Sequence, residues 1–254
     1  MANGLTPSAN RPPPSSNRPP PRNHLLAALP LDDYARILPT LDTVPLKLKT
    51  IMHKAGDPVR DVYFPGGGFV SMLTVLEDGT MVEIATVGRE GITGLPEALN
   101  GDLSVAQTIV QAETEICYRM PVTAFHEEMD RHGVLYDLVN RYHHALVGLI
   151  MQSTACNAIH SVEQRLARWL LMAHDRVEAN DFPMTQEFVA MMLGATRPTV
   201  TVVAGTLQSA GLITYHRGHI TIVDRERLEA AACECYRAAT ELLKRVTTKG
   251  PKRR

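Results

Sequence analysis

The stretch from Thr185 to Ile213, TQEFVAMMLGATRPTVTVVAGTLQSAGLI, constrains the fold more tightly than any other part of the chain. Its apolar residues have helical spacing, yet Gly194 and Pro198 interrupt any single helix. The pattern resolves into two helices. The first runs from Gln186 to Leu193 with Thr185 as its N-cap, and Phe188, Val189, Met192 and Leu193 face inward. Gly194 follows the last periodic residue, where a left-handed backbone costs least. Thr196 caps the second helix, and Pro198 stands in its first turn, where a missing N–H does no harm. Val200, Val203, Ala204 and Leu207 form the second buried stripe, and small Ala190 permits a close crossing. This is the pattern of a helix-turn-helix, whose second helix projects its N-terminal end outward.

The outward side of that helix carries Arg197, Pro198, Thr201, Val202 and Gly205. Arg197 has the planar fork to read a guanine edge or to hold a phosphate. Thr185, Gln186, Thr196 and Thr199 gather at the two helix N-termini, where free N–H groups and the helix dipole favour a phosphate. Val202 can touch a thymine methyl or simply exclude water. Downstream, GLITYHRGHITIVD reads as two short strands around Arg217-Gly218, tipped by His216, Arg217 and His219. A basic hairpin after a helix-turn-helix makes a winged helix, with the wing over a DNA backbone. Charge agrees: residues 160–254 hold 14 basic and 10 acidic side chains, whereas residues 1–159 hold 12 and 17. An ordinary αα-hairpin explains neither the wing nor this asymmetry.

Ahead of this unit the periodicity is different. Residues 1–23, rich in Pro, Asn and Ser, have almost nothing to bury and read as a disordered tail. His24 to Leu38 has helical spacing broken at Pro30. From Val44 to Met120, short runs such as FVSMLTVL, MVEIATV and AQTIVQA alternate with glycine-rich turns, which predicts an antiparallel β-roll. Glu77-Asp78-Gly79 suits a hairpin turn, and Asn100-Gly101 a second reversal. A cupin-like metalloenzyme would need several inward histidines here, but His53 stands alone. No catalytic residue is assigned.

Beyond Pro121, Leu135, Leu138, Tyr142, Ala145, Leu149, Gln152, Cys156 and Ile159 recur at steps of three and four. The seam predicts a long helix, lying on the roll or, the favoured reading, pairing with the same helix of a second chain. Residues 157–162 then form a hinge. VEQRLARWLLMAHDRV predicts the next helix, EANDFP a loop, and RERLEAAACECYRAATELLKRV one more helix before a basic tail. On one helix, Cys233 and Cys235 would point to different faces, so no metal site is expected from them. The four cysteines show no disulfide framework, and the N-terminus has no apolar leader. A cytoplasmic chain with reduced thiols and no membrane segment is expected.

In order, a β-roll, a long helix, a hinge and a winged helix resemble the Crp–Fnr superfamily of bacterial transcription regulators, from about Leu31 to Val223. MTQEFVAMMLGATRPTVTVVAGTLQSAGLI carries the likeness most specifically, with AGDPVRDVYFPGGGFVSML and VGREGITGL in the roll. The resemblance implies an α+β fold: an N-terminal double-stranded β-helix or jelly-roll sensor over residues 24–133, a dimerisation helix and hinge over 134–160, and a C-terminal winged helix-turn-helix over 161–224. A helix and basic tail over 225–254 exceed the family's needs. It also implies a homodimer on a two-fold symmetric operator, RNA polymerase as partner, and a small-molecule effector in the roll. Gly88, Glu90, Gly91, Ala106 and Gln107 fall at the family's effector positions. Members that bind cyclic nucleotides hold the phosphate with an Arg-Ser/Thr pair where this chain has Ala106 and Gln107, so cyclic AMP is not expected. The N-terminal cysteine cluster of the oxygen sensors is missing, since Cys117 is the first cysteine. His53, His126, His132, His143 and His144, with Cys117, show no haem-binding signature, and the cofactor is unknown. A haem or redox sensor of the same fold, or a protein-binding module with a vestigial winged helix, are the alternative functions.

Overall fold

The computed structural model describes residues 20–100, 103–177 and 179–248. Gly101, Glu178, most of the proline-rich tail and the basic end from residue 249 lie outside the described residues. Two short helices, α1 (His24–Ala27) and α2 (Leu31–Ile37), lead into the roll. The tail reading stops short of Asn23, which is fully buried. Its carbonyl oxygen caps α1 by accepting from Leu25 and Leu26 N–H, and its amide donates to Pro65 O at 3.0 Å and Gly91 O at 2.8 Å.

Seven strands make the roll: β1 (Asp42–Leu46), β2 (Ile51–His53), β3 (Asp61–Pro65), β4 (Phe69–Val75), β5 (Met81–Val87), β6 (Gln107–Ala112) and β7 (Thr114–Pro121). They form two antiparallel sheets, ordered β1-β7-β3 and β2-β6-β4-β5. The predicted reversal at Glu77-Asp78-Gly79 joins β4 to β5, with Val75 opposite Met81 and Gly79 at φ +82°. Strand β4 explains why FVSMLTV carries apolar residues on both faces. Val70 and Met72 enter the roll core, and Phe69 and Leu73 enter a second core on the other side of the sheet.

Helices α3 (Leu95–Asn100) and α4 (Val122–Asp130) flank the roll, and α5 (Val134–Ile159) follows. The long helix is present, but its apolar seam does not face a partner chain. Leu135, Leu138, Tyr142 and Ala145 belong to the roll core, Leu149 and Cys156 are also buried, and Gln152 is half-buried against the C-terminal extension. The spacing marks a stripe that is buried as far as Cys156, covered by the same chain; Ile159, its last member, is exposed. The exposed side of α5 is a different stripe, Asn140, His144, Val147, Met151, Thr154 and Ala158, also at steps of three and four.

The second core belongs to the winged helix: α6 (Val162–Val177), β8 (Asp181–Pro183), α7 (Gln186–Leu193), α8 (Arg197–Ser209), β9 (Ile213–His216), β10 (His219–Ile222) and α9 (Arg225–Ala231). Two expectations need correcting. Asp181–Pro183 of the supposed loop is a strand, completing a sheet ordered β8-β10-β9, because the far edge of the wing needs a partner for its backbone. The C-terminal helix is also two helices: α10 (Cys235–Thr247) starts afresh after an extended residue, Ala232, at φ −76° and ψ 157°. Cys233 and Cys235 therefore do not diverge on one helix; both are buried beside Cys156. No single helix among the described residues is long and apolar enough to cross a membrane.

Candidate nucleic-acid interface

The turn between α7 and α8 is built from local chemistry. Thr185 Oγ1 accepts from Phe188 N–H at 3.2 Å and starts α7. Gly194, at φ +55° and ψ +40°, stops it in the left-handed region, and Ala195 N–H returns to Ala190 O at 3.0 Å. Thr196 Oγ1 caps α8 by accepting from Thr199 N–H, and the two threonine hydroxyls share a 2.9 Å hydrogen bond. The helices meet at 102°, within the range for a DNA-binding helix-turn-helix. Val200, Ala204 and Leu207 are buried, as their spacing predicts.

The opposite side of α8 is open. Arg197, Pro198, Thr201 and Val202 are exposed, Val202 at 69%, and a side chain added at Gly205 would meet nothing within 4 Å. Thr201 Oγ1 donates to Gln186 Oε1 at 3.0 Å, which ties the polar faces of the two helices together. Arg197 is held by Glu187 at 2.5 Å. Both partners are exposed, so the pair contributes at most about 1 kcal/mol and opens at little cost. Glu187 escaped the sequence reading, because only the fold brings it across to Arg197.

The wing is a two-residue hairpin in which His216 pairs with His219. Arg217 at φ +48° and Gly218 at φ +80° give the double positive-φ turn that matches strand twist. Tyr215 Oη donates to Met184 O at 2.9 Å, pinning the wing beside α7. His219 Nδ1 lies 3.1 Å from Asp181 Oδ2, and hydrogen bonds from Thr221 and then His219 hold the Asp181 carboxyl below its usual range. A groove of about 480 Å³ collects Thr185, Gln186, Glu187, Arg197, Tyr215, Arg217 and Gly218. The α7 cap, the start of α8 and the wing tip thus line one concave strip.

The expected effector residues are not brought together in the same way. Gly88, Glu90 and Gly91 form one turn after β5. Glu90 Oε1 accepts from Gly88 N–H at 3.1 Å and from Arg176 of α6 at 2.6 and 2.9 Å. A Cβ at Gly88 would sit 2.8 Å from the Arg176 side chain, and one at Gly91 would strike the Tyr142 hydroxyl at 2.2 Å. The turn is occupied by the chain's own residues. Ala106 is buried, and Gln107 pairs with Leu73 near the far end of β4, its amide 3.6 Å from Met81 Sδ. Three of the candidate haem-ligand histidines have other partners: His126 bonds Ala98 O, His132 meets Tyr136 edge-on, and His53 meets Thr93. Burial alone pushes the Cys117 thiol up to about 12.

Two family profiles match this chain. The cyclic nucleotide-binding domain aligns with residues 43–132 and the Crp-like helix-turn-helix domain with residues 164–231. Between them they cover more than half of the sequence. The chain belongs to the Crp–Fnr superfamily. Solved structures agree on the fold of this Crp–Fnr protein. A Crp/Fnr-family regulator from Eubacterium rectale is 20% identical with a TM-score of 0.63, over 82% of this chain and 96% of that one. FixK2 from Bradyrhizobium japonicum is 16% identical with a TM-score of 0.64, over 76% and 98%. A CRP-family transcriptional regulator from Thermus thermophilus is 21% identical with a TM-score of 0.61, over 74% and 95%. A search of curated proteins gave no match. In this Crp–Fnr protein the glutamate of the VGREGITGL turn holds Arg176 of its own winged helix.

Proposed function

We propose that this Crp–Fnr transcription regulator works as a homodimer that reads a two-fold symmetric DNA site through α8. The observation that carries the reading is the single strip joining Thr185, Arg197 and the Arg217 wing, with Thr201 and Val202 exposed beside it. Arg197, Thr201 and Val202 face base edges; Thr185, Gln186, Thr196, Thr199, Pro198 and the wing residues His216, Arg217 and His219 line the backbone. Dimerisation moves from the buried seam to the exposed stripe of α5, with Val147 and Met151 at its centre. That pairing sets two recognition helices about 34 Å apart, one turn of DNA. In this division the roll over 24–133 senses, the helix over 134–160 pairs and hinges, and 161–224 binds DNA next to RNA polymerase in the cytoplasm. The effector is not an arginine-held cyclic phosphate, because Ala106 and Gln107 supply no cation and Arg176 already serves Glu90.

Selection of bound sites from random duplex DNA tests this directly. The expected result is an inverted repeat with half-sites about one helical turn apart. Arg197→Ala should then lose about 1–3 kcal/mol on the selected site and far less on scrambled DNA. Enrichment of no sequence, or of a site without two-fold symmetry, overturns the reading.

A further inference from the structure

Three cysteines and a histidine that are far apart in sequence meet at one point. Cys156 lies in the last turn of α5, and His160 is the residue that ends it. Cys233 and Cys235 come from the break between α9 and α10. The three Sγ atoms and one imidazole nitrogen all lie within 4.8 Å of one another. Cys156 Sγ is 3.5 Å from Cys233 Sγ, and Cys235 Sγ is 3.6 Å from His160 Nδ1. A tetrahedral zinc with bonds of about 2.3 Å to sulfur and about 2.0 Å to nitrogen holds its ligands about 3.5–3.8 Å apart. We propose that this cluster is a structural Cys3His zinc site that ties the hinge end of α5 to the C-terminal extension.

The surroundings fit the ion. His160 Nε2 lies 3.2 Å from Glu234 Oε2, so the carboxylate can accept the Nε2 proton and leave the Nδ1 lone pair facing the sulfurs. Gln152 donates its amide to Cys235 Sγ at 3.0 Å, a contact that a metal-bound thiolate would keep. Zinc with three thiolates carries a net charge of −1. Arg168, itself buried, supplies a nearby positive charge that offsets it. The backbone fits as well. EAAACECY contains neither glycine nor proline, and its alanines favour a continuous helix. The break at Ala232 lets Cys233 and Cys235, which both follow it, reach the end of α5. Three soft thiolates and an imidazole select zinc over magnesium or calcium. On binding, Zn2+ enters, three thiol protons leave to solvent, and the neutral imidazole gives up none.

A redox pair is the competing use of these thiols. Cys156 and Cys233 are both buried, which keeps oxidants and partner thiols in solution away from them. The site depends on none of the residues assigned to DNA, so it stands or falls separately.

The test is the metal content of the full-length chain, purified without a metal-affinity tag under reducing, chelator-free conditions. Plasma mass spectrometry and native mass spectrometry should give one zinc per chain. Replacement by Co2+ in the wild-type chain should give the intense visible bands of a tetrahedral thiolate site, a readout that needs no variant to fold. Cys156→Ser, Cys233→Ser, Cys235→Ser and His160→Ala should each lower zinc affinity by more than about tenfold, and Cys117→Ser should leave it unchanged. The proposal fails if the folded wild-type chain takes up no zinc, or binds iron in its place. It also fails if Cys156 and Cys233 are recovered as a disulfide, or if the four ligand variants keep their zinc.

Discussion

Glu83 lies buried between the roll and the winged helix. Trp169 Nε1 donates to its Oε1 at 2.7 Å, and the Ser71 hydroxyl donates to Oε2 at 2.5 Å. Arg168 and Arg176 add attraction, yet burial dominates and lifts the carboxyl from 4.5 to about 7. Between those two values the folded chain keeps a proton that the unfolded chain has already released. Stability is therefore fully present below pH 4.5 and is lost as pH rises toward 7, where it levels off. At 1.36 kcal/mol per pH unit the loss is about 3 kcal/mol. Glu83→Gln keeps the shape and a carbonyl acceptor for Trp169 but cannot ionise. Urea denaturation at a series of pH values, followed by the fluorescence of the single tryptophan, should show the wild type losing about 3 kcal/mol relative to the variant across this window. The other titrating groups cancel in the difference. Parallel stability curves for the two proteins, or a wild type that gains on the variant as pH rises, would refute the assignment of Glu83 as the interface proton.

Arg217→Ala should weaken binding to every duplex alike and make the dependence of log K on log salt shallower by about one charge, measured by fluorescence anisotropy at several salt concentrations. Met151→Glu places a charge on the exposed stripe of α5 and should yield a monomer by sedimentation velocity, with unchanged thermal unfolding of the roll; Leu138→Glu, inside the core, should instead unfold the chain. Gly91→Ala should cost about 1–3 kcal/mol in denaturant, because its new methyl meets the buried Tyr142 hydroxyl, and Tyr142→Phe should recover part of the loss.

The parts legible in the sequence are those that local chemistry decides. Thr185, Gly194, Thr196 and Pro198 determine where two helices start and stop, and the turn at Arg217-Gly218 fixes the wing. The alternating strands of the roll were equally plain. What failed depended on which surface covers which. The stripe from Leu135 to Cys156 has the spacing of an interface, but periodicity reports that a face is buried, not what buries it. EANDFP has the look of a loop because Asp181–Pro183 is too short to show alternation; it becomes a strand only beside β10. Cys233 and Cys235 diverge only if their alanine-rich segment stays helical. Tertiary contacts with Cys156 and His160, more than 70 residues earlier, override that propensity. The pairing of Glu90 with Arg176 spans 86 residues and had no local trace.

The sandwiching of Trp169, edge-on to Phe69 of the roll at 5.8 Å and to Phe188 of α7 at 5.9 Å, has a consequence for how such a chain evolves and can be engineered. The roll and the winged helix are not beads on a string. Grafting this winged helix onto another domain would strip one wall from its hydrophobic interior and leave Trp169 seeking cover. A working chimera would have to carry along the outer face of β4, with Phe69 and Leu73, as part of the cargo.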